Sequence, residues 1–237
     1  MKTTVFFLLV ASVTSVLFSN RSVADDSAFA DDFHNVNGFY STNTNGSYVD
    51  DQERSREIHS YMSDSVTGDM QISVREDAKT KGADGKPGVL AFAFERVANS
   101  CDYCGFTYQG RTDDPIKIPL KGKVTEETLD KIQVSFKHKA VNKNPEHVGL
   151  TVSARIECTV DDPYASRVDF GHLKSTGKWQ TFSITLDKGT NKVEFLKVVN
   201  ALSDPTYKLA WSQTGGPDSY QGGDTLLIDD MKIMVLE

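Results

Sequence analysis

After residue 65 the chain runs as short segments in which apolar and polar residues alternate, each closed by turn residues. Ile132, Val134 and Phe136 fall on one parity, and Gln133, Ser135 and Lys137 on the other. Leu150, Val152, Ala154, Ile156 and Cys158 alternate with Thr151, Ser153, Arg155 and Glu157, and Phe182, Ile184 and Leu186 alternate with Thr181, Ser183 and Thr185. A period of two puts successive side chains on opposite faces, so each segment predicts a strand with one buried and one wet face. Residues 70–74, 89–97, 193–199, 207–213 and 225–236 extend the series, giving about nine or ten strands at the spacing of an antiparallel sandwich. The predicted class is all-β, an antiparallel sandwich or barrel with little helix. Thr125 suits an N-cap for a single turn over residues 126–129, and the charged residues 50–61 suit a short helix or a loop.

The first 24 residues read as an address. Lys2 supplies a positive start, residues 5–18 are apolar, and Ser22, Val23 and Ala24 place small residues at a cleavage site. Ala28, Phe29 and Ala30 offer a second site. The apolar run is shorter than the roughly 20 residues needed to cross a bilayer, which argues against an uncleaved anchor. The expected organisation is a signal peptide over residues 1–24, a short tether over 25–30 and one sandwich domain over 31–237. That organisation predicts a secreted or periplasmic protein with no membrane span after cleavage.

Composition narrows the function classes. With 237 residues, 38% of them hydrophobic, the chain can bury a sizeable core. Three cysteines are too few for a disulfide-stapled scaffold. A formal charge of -7 argues against nucleic acid, whose binders carry a basic footprint. Loss of Lys2 and Arg21 with the leader leaves 24 basic against 33 acidic residues, a formal -9. A neutral ligand, a cationic partner or a divalent metal all remain compatible. Cys101 and Cys104 form a C-x-x-C that runs into strand-like residues, unlike a redox motif opening a helix. A local Cys101–Cys104 disulfide with Cys158 as a buried thiol is the simplest reading. Pairing of Cys158 with either partner, free thiols, and a metal completed by His138, His147 or His172 are the alternatives.

Three segments carry a family resemblance. Gly177, Trp179, Thr181, Phe182 and the alternation to Leu186 resemble a strand of galactose-binding-like jelly rolls, the fold of many non-catalytic carbohydrate-binding modules. Asp224 to Ile233, with Ile228-Asp229-Asp230, resembles their closing strand, and Ala30-Asp31-Asp32-Phe33 is similar to their opening one. The resemblance implies a carbohydrate ligand and a structural calcium joining the first strand to the last, with Asp31 or Asp32 and Asp229 as its carboxylates. Asp229 and Asp230 are adjacent in a strand, so both face one ion only across a bulge.

Sugar recognition calls for flat aromatic faces and planar polar groups. Arg155 and Glu157 on one strand, Gln133 on its expected neighbour, and Tyr103, Tyr108 and Arg111 around the cysteine loop supply these types. Trp179 and Trp211 read chiefly as packing residues. No strand carries the Glu-x-Asp-x-Glu triplet of a sandwich glycosidase, and no nucleophile elbow or zinc helix occurs. Three classes therefore stand: a polysaccharide- or glycan-binding sandwich, a cell-surface or matrix interaction sandwich, and a sandwich glycosidase or lyase.

Overall fold

The computed structural model describes residues 27–34, 40–44, 58–62, 71–96, 104–108, 129–146, 149–157, 167–203, 208–213 and 220–236. The proposed leader, Tyr103, Arg111, Cys101 and Cys158 lie outside them. Among the described residues there are twelve strands and one helix, two or three strands more than the alternation alone predicts.

Two antiparallel sheets make up the sandwich. The seven-stranded sheet runs β10 (Gln180–Asp187), β7 (Lys131–Val141), β12 (Thr225–Leu236), β5 (Pro87–Arg96), β4 (Gln71–Lys81), β2 (Tyr40–Thr44), with β1 (Ser27–Asp31) also paired to β12. The five-stranded sheet runs β3 (Ile58–Met62), β6 (Cys104–Tyr108), β11 (Lys208–Gln213), β8 (Leu150–Glu157), β9 (Val168–Ser175). β12 is the keel of the larger sheet. It pairs with β7 along its length, and with β5 and then β1 on its other side.

Alternation turns into packing as expected. Ile132, Val134, Phe136 and Ala140 of β7, and Val152, Ala154 and Ile156 of β8, are buried between the sheets. Phe92 of β5 meets Phe106 of β6 across the gap with ring centroids 5.1 Å apart, and Phe94 stacks on Tyr220 at 4.4 Å. Each such buried ring contributes about 1.5–3 kcal/mol by removal from water. His138 shares the apolar parity of β7 and is buried, sharing a 2.6 Å hydrogen bond between its Nδ1 and Ser175 Oγ of β9. That bond ties one sheet to the other at the edge where Ala140 N also donates to Thr176 O.

One segment read as strand is a helix. Residues 193–199 belong to α1 (Lys192–Ser203). Phe195, Val198 and Val199 are buried at helical spacing while Val193 is 62% exposed, and Asn191 O accepts Phe195 N in the first turn. Period three to four, not two, fits that burial. α1 packs against β10, β8 and β9, across the open edge of the sandwich. Residues 58–61, read as helix or loop, lie in β3.

Candidate functional site

Register decides which residues share a face. Gln133 and Arg155 were expected on neighbouring strands, but β7 and β8 lie in different sheets. The expected cluster of Gln133, Arg155 and Glu157 is therefore not assembled. Gln133 lies on the outer face of the larger sheet, where its Nε2 donates to Thr185 Oγ1 at 3.2 Å. Tyr108 pairs with Leu209, which pairs with Ile156, so its register position is an interior row and not the row of Arg155. Trp211 sits between Phe106 and Ala154 on the adjacent interior row.

The polar rows of the five-stranded sheet are explicit in the pairing. At the level of Arg155 the strands carry His59, Thr107, Ala210, Arg155 and Asp169. At the level of Ser153 they carry Tyr61, Gly105, Ser212, Ser153 and His172. Small residues thus occupy the three middle strands in the Ser153 row, between Tyr61 and His172, whereas Arg155 interrupts them in the other, between the edge positions His59 and Asp169. Glu157 pairs with Lys208 one row further. Arg155 has outer parity yet is only 5% exposed, which corrects its placement on a wet surface. His172 and Lys174 are exposed, and Asp169 faces Arg167 Nε at 3.2 Å. β9 was missed because a bulge breaks its alternation: Ser153 faces His172 but Arg155 faces Asp169, and Gly171 takes up the extra residue at φ 92°. A glycine between two short apolar pairs was the only signal available.

The acidic end of the larger sheet has a different character. Asp229 is 2% exposed, and Ala83 N donates to its Oδ2 at 2.7 Å while Asp230 N donates to its Oδ1 at 2.8 Å. Burial pushes its carboxyl up, the two N–H bonds pull it back, and the negative charges of Asp230 and Asp84 push it up further. A β12 bulge, the condition for Asp229 and Asp230 to face one ion, is present between Asp229 and Lys232, with Asp230 at φ 50°. Asp230 consequently turns to Lys232 Nζ (2.7 Å) and Lys137 Nζ (3.2 Å). Its own burial pushes its carboxyl up, but these two ammonium groups outweigh that and hold it below the ordinary range. A Cβ on Gly82 would stand 2.5 Å from Asp229 Oδ2 and 3.3 Å from Gly88 O, and one on Gly88 would strike Phe33 O. Gly82 therefore leaves open a space against the Asp229 carboxylate and the Gly88 carbonyl, and Gly88 another against the Phe33 carbonyl. Asp32 stands apart: its Oδ2 lies 3.0 Å from His34 Nδ1, and His34 Nε2 lies 3.4 Å from Asp84 Oδ1. The side chain of Asp31 is not among those described. Among the described residues, no three His, Cys, Asp or Glu side chains gather around a common point.

Cys104 is buried at the start of β6. β6 and β8 run parallel on either side of β11, with Gly105 level with Ser153. Glu157 is therefore five residues further along than Cys104, about 16 Å at the strand rise. The Cys101–Cys104 pairing remains a proposal.

The arrangement is that of a jelly-roll sandwich with one polar outer face on each sheet, and solved structures similar in fold include several carbohydrate-binding modules. One is the tandem family 22 pair from Paenibacillus barcinonensis Xyn10C, at 13% identity and TM-score 0.46, covering 92% of this chain and 52% of that one. Another is the C-terminal family 22 module of Clostridium thermocellum Xyn10B, at 10% identity and TM-score 0.45, covering 90% and 96%. A cyclase from Fischerella sp. TAU is also similar, at 9% identity and TM-score 0.36, covering 73% and 77%. No protein-family model and no curated sequence matches the chain. Among the described residues, no helix is long and apolar enough to cross a membrane.

Proposed function

We propose that this is a secreted, non-catalytic carbohydrate-binding sandwich that holds a polysaccharide or glycan on the outer face of its five-stranded sheet. The observation that carries this reading is the pair of register rows around Ser153 and Arg155. In the Ser153 row small residues (Gly105, Ser212, Ser153) hold the three central strands, leaving room for a sugar ring between the edge positions of Tyr61 and His172, and in the next row Thr107 and Ala210 stand beside the buried Arg155. Buried Arg155 beneath this face is a positioning residue, and exposed His172 is a contact residue. Imidazole and phenol suit both the apolar face and the hydroxyls of a sugar. Pull-down of the mature chain on a panel of insoluble polysaccharides, with a glycan array for soluble ones, tests the reading. Retention by at least one glycan is expected, and retention by none removes it.

A structural calcium ion belongs to the same reading. It is supported by a buried carboxylate whose ionisation is opposed by burial and by two neighbouring anions, beside the Gly88 carbonyl oxygen in a space that a Cβ on Gly82 would fill. Asp229 with the carbonyl of Gly88 would hold it, as hard oxygen ligands do. The ion would neutralise Asp229 and fasten the β4–β5 turn to β12. Chelator should lower the melting temperature of the mature chain, and an unchanged value removes the calcium while leaving the glycan reading intact.

The interaction-sandwich alternative calls for a flat apolar patch or a free strand edge. Among the described residues only Val141 and Val193 are exposed large hydrophobics, and they lie on separate elements.

A further inference from the structure

The outer face of the larger sheet over β10, β7 and β12 departs from the charge of the chain. Lys131, Lys137 and Lys139 of β7 and Lys232 of β12 lie on it, against Asp187 and Asp230. Four lysines against Asp187, Asp230 and the buried Asp229, which pairs with Lys137 in register, leave it a positive character in a protein of formal charge -7. Asp230 is shared by two of the lysines, and Asp187 meets Lys131 at 3.4 Å. Lys139 has no carboxylate in this set; its Nζ lies 6.0 Å from the centre of the Trp179 ring.

The same face is rich in hydroxyl and amide groups. Thr181, Ser183 and Thr185 are exposed on β10 and pair in register with Lys137, Ser135 and Gln133. Trp179 is partly exposed at one end and packs on Val89, Ala91 and Leu227. Three kinds of group therefore share one flat surface: ammonium groups, hydrogen-bonding hydroxyls and amides, and one aromatic ring.

We infer that this face is a second binding surface whose ligand is an anionic polysaccharide built from uronic acids. The lysines call for a ligand charge at regular intervals. The hydroxyl ladder calls for a ligand that keeps its own hydroxyls, as a uronate chain does and a densely sulfated one does not. The tryptophan calls for the apolar face of a ring. Nucleic acid supplies the charge but not the hydroxyl-rich ring faces. The inference rests on the glycan-binding reading and deepens it, because it gives the protein two glycan surfaces on opposite sides of the sandwich.

The test measures retardation of the mature chain in gels containing polygalacturonate, dextran sulfate, a neutral xylan or duplex DNA, at low and high salt. Wild type is expected to bind polygalacturonate most tightly, with affinity falling as salt rises. Lys137→Gln/Lys139→Gln/Lys232→Gln should lose at least tenfold of that affinity while binding neutral xylan as wild type does. Lys139→Gln alone disturbs no ion pair with Asp230 or Asp187 and should still lose about threefold, which guards against misfolding of the triple variant. Ser153→Arg, on the opposite sheet, should leave polygalacturonate binding unchanged. Equal affinity of the wild type and both lysine variants for polygalacturonate overturns the inference, as does preference for dextran sulfate or DNA. Binding to neutral xylan without polygalacturonate overturns it while leaving the glycan reading standing. Failure to bind any of the polysaccharides overturns the inference, and retention by none of the wider glycan panel removes the glycan reading as well.

Discussion

Asp229 and Arg155 are both charged and both buried, one in each sheet, and their surroundings differ. Asp229 is enclosed by backbone: two N–H donors, a glycine with no room for a side chain, and a bulge that sends Asp230 elsewhere. Arg155 sits on the second strand of its sheet among side chains of neighbouring strands, with Asp169 on one side and Ala210 on the other. A charge held by backbone and sterically sealed serves to fix the chain. One held under an open polar face with exposed His172 and Lys174 beside it can serve a ligand. Sequence alone presents both simply as polar residues in strands.

The contrast breaks most sharply at the glycines of the acidic end. Gly88→Ala places a methyl group on Phe33 O at a φ of 121°, and should cost at least about 3 kcal/mol, or roughly 6–12 °C in melting temperature for a domain of this size. Gly85→Ala has the same left-handed strain, at φ 85°, but meets nothing within 4 Å, and should cost only about 1–2 kcal/mol. Equal losses in thermal melts of the two variants would show that the close approach of Gly88 to the Phe33 backbone is not what holds this corner.

Next in size is the effect on the open face. His172→Ala should weaken glycan binding about tenfold, near 1.4 kcal/mol, with an unchanged melting temperature. Asp229→Asn should do the opposite, altering stability and its response to chelator while leaving glycan affinity alone.

A smaller effect separates the interior from both faces. Burial lowers the pKa of His138 below its ordinary 6.5, so the folded protein resists a proton that the unfolded chain accepts. Its contribution to stability is complete above pH 6.5 and is lost progressively as pH falls from there toward the lowered value. The charged groups on the elements packed around it include Lys137 and Lys139, on the opposite face of β7, Asp229, Asp230 and Lys232 of the paired strand β12, and exposed His172 and Lys174 of β9. His138→Gln should flatten the fall in melting temperature between pH 7 and 5, and an unaltered slope would mean His138 does not set it. Smallest of all, Lys131→Ala should change stability by no more than about 1 kcal/mol, because its pair with Asp187 is solvent-exposed.

The sandwich class was legible because β7, β8 and β10 alternate without interruption, and a period of two has one structural meaning. α1 was not, since Val193, Phe195, Val198 and Val199 satisfy either period over so short a span, and only tertiary burial chooses between them. β9 was hidden by its bulge at Gly171. His138 was legible as a core histidine from its parity on β7. The site was less legible than the fold. Parity on one strand says that Arg155 and Gln133 face away from the core, but which sheet each strand joins depends on long-range pairing. That pairing separates Gln133 from Arg155 and moves Tyr108 to an interior row. The Asp229–Asp230 bulge was foreseen as a condition for both carboxylates to serve one ion; its actual effect is to hand Asp230 to two lysines.

The proposed glycan face lies on the five-stranded sheet. Titration calorimetry of the mature chain with the polysaccharide that retains it, comparing wild type with Ser153→Arg, tests this most directly. A bulky side chain in the middle of the small-residue row should abolish binding to a neutral glycan while the circular dichroism spectrum and melting temperature stay those of the wild type. Binding by a folded Ser153→Arg variant with wild-type affinity would contradict the account.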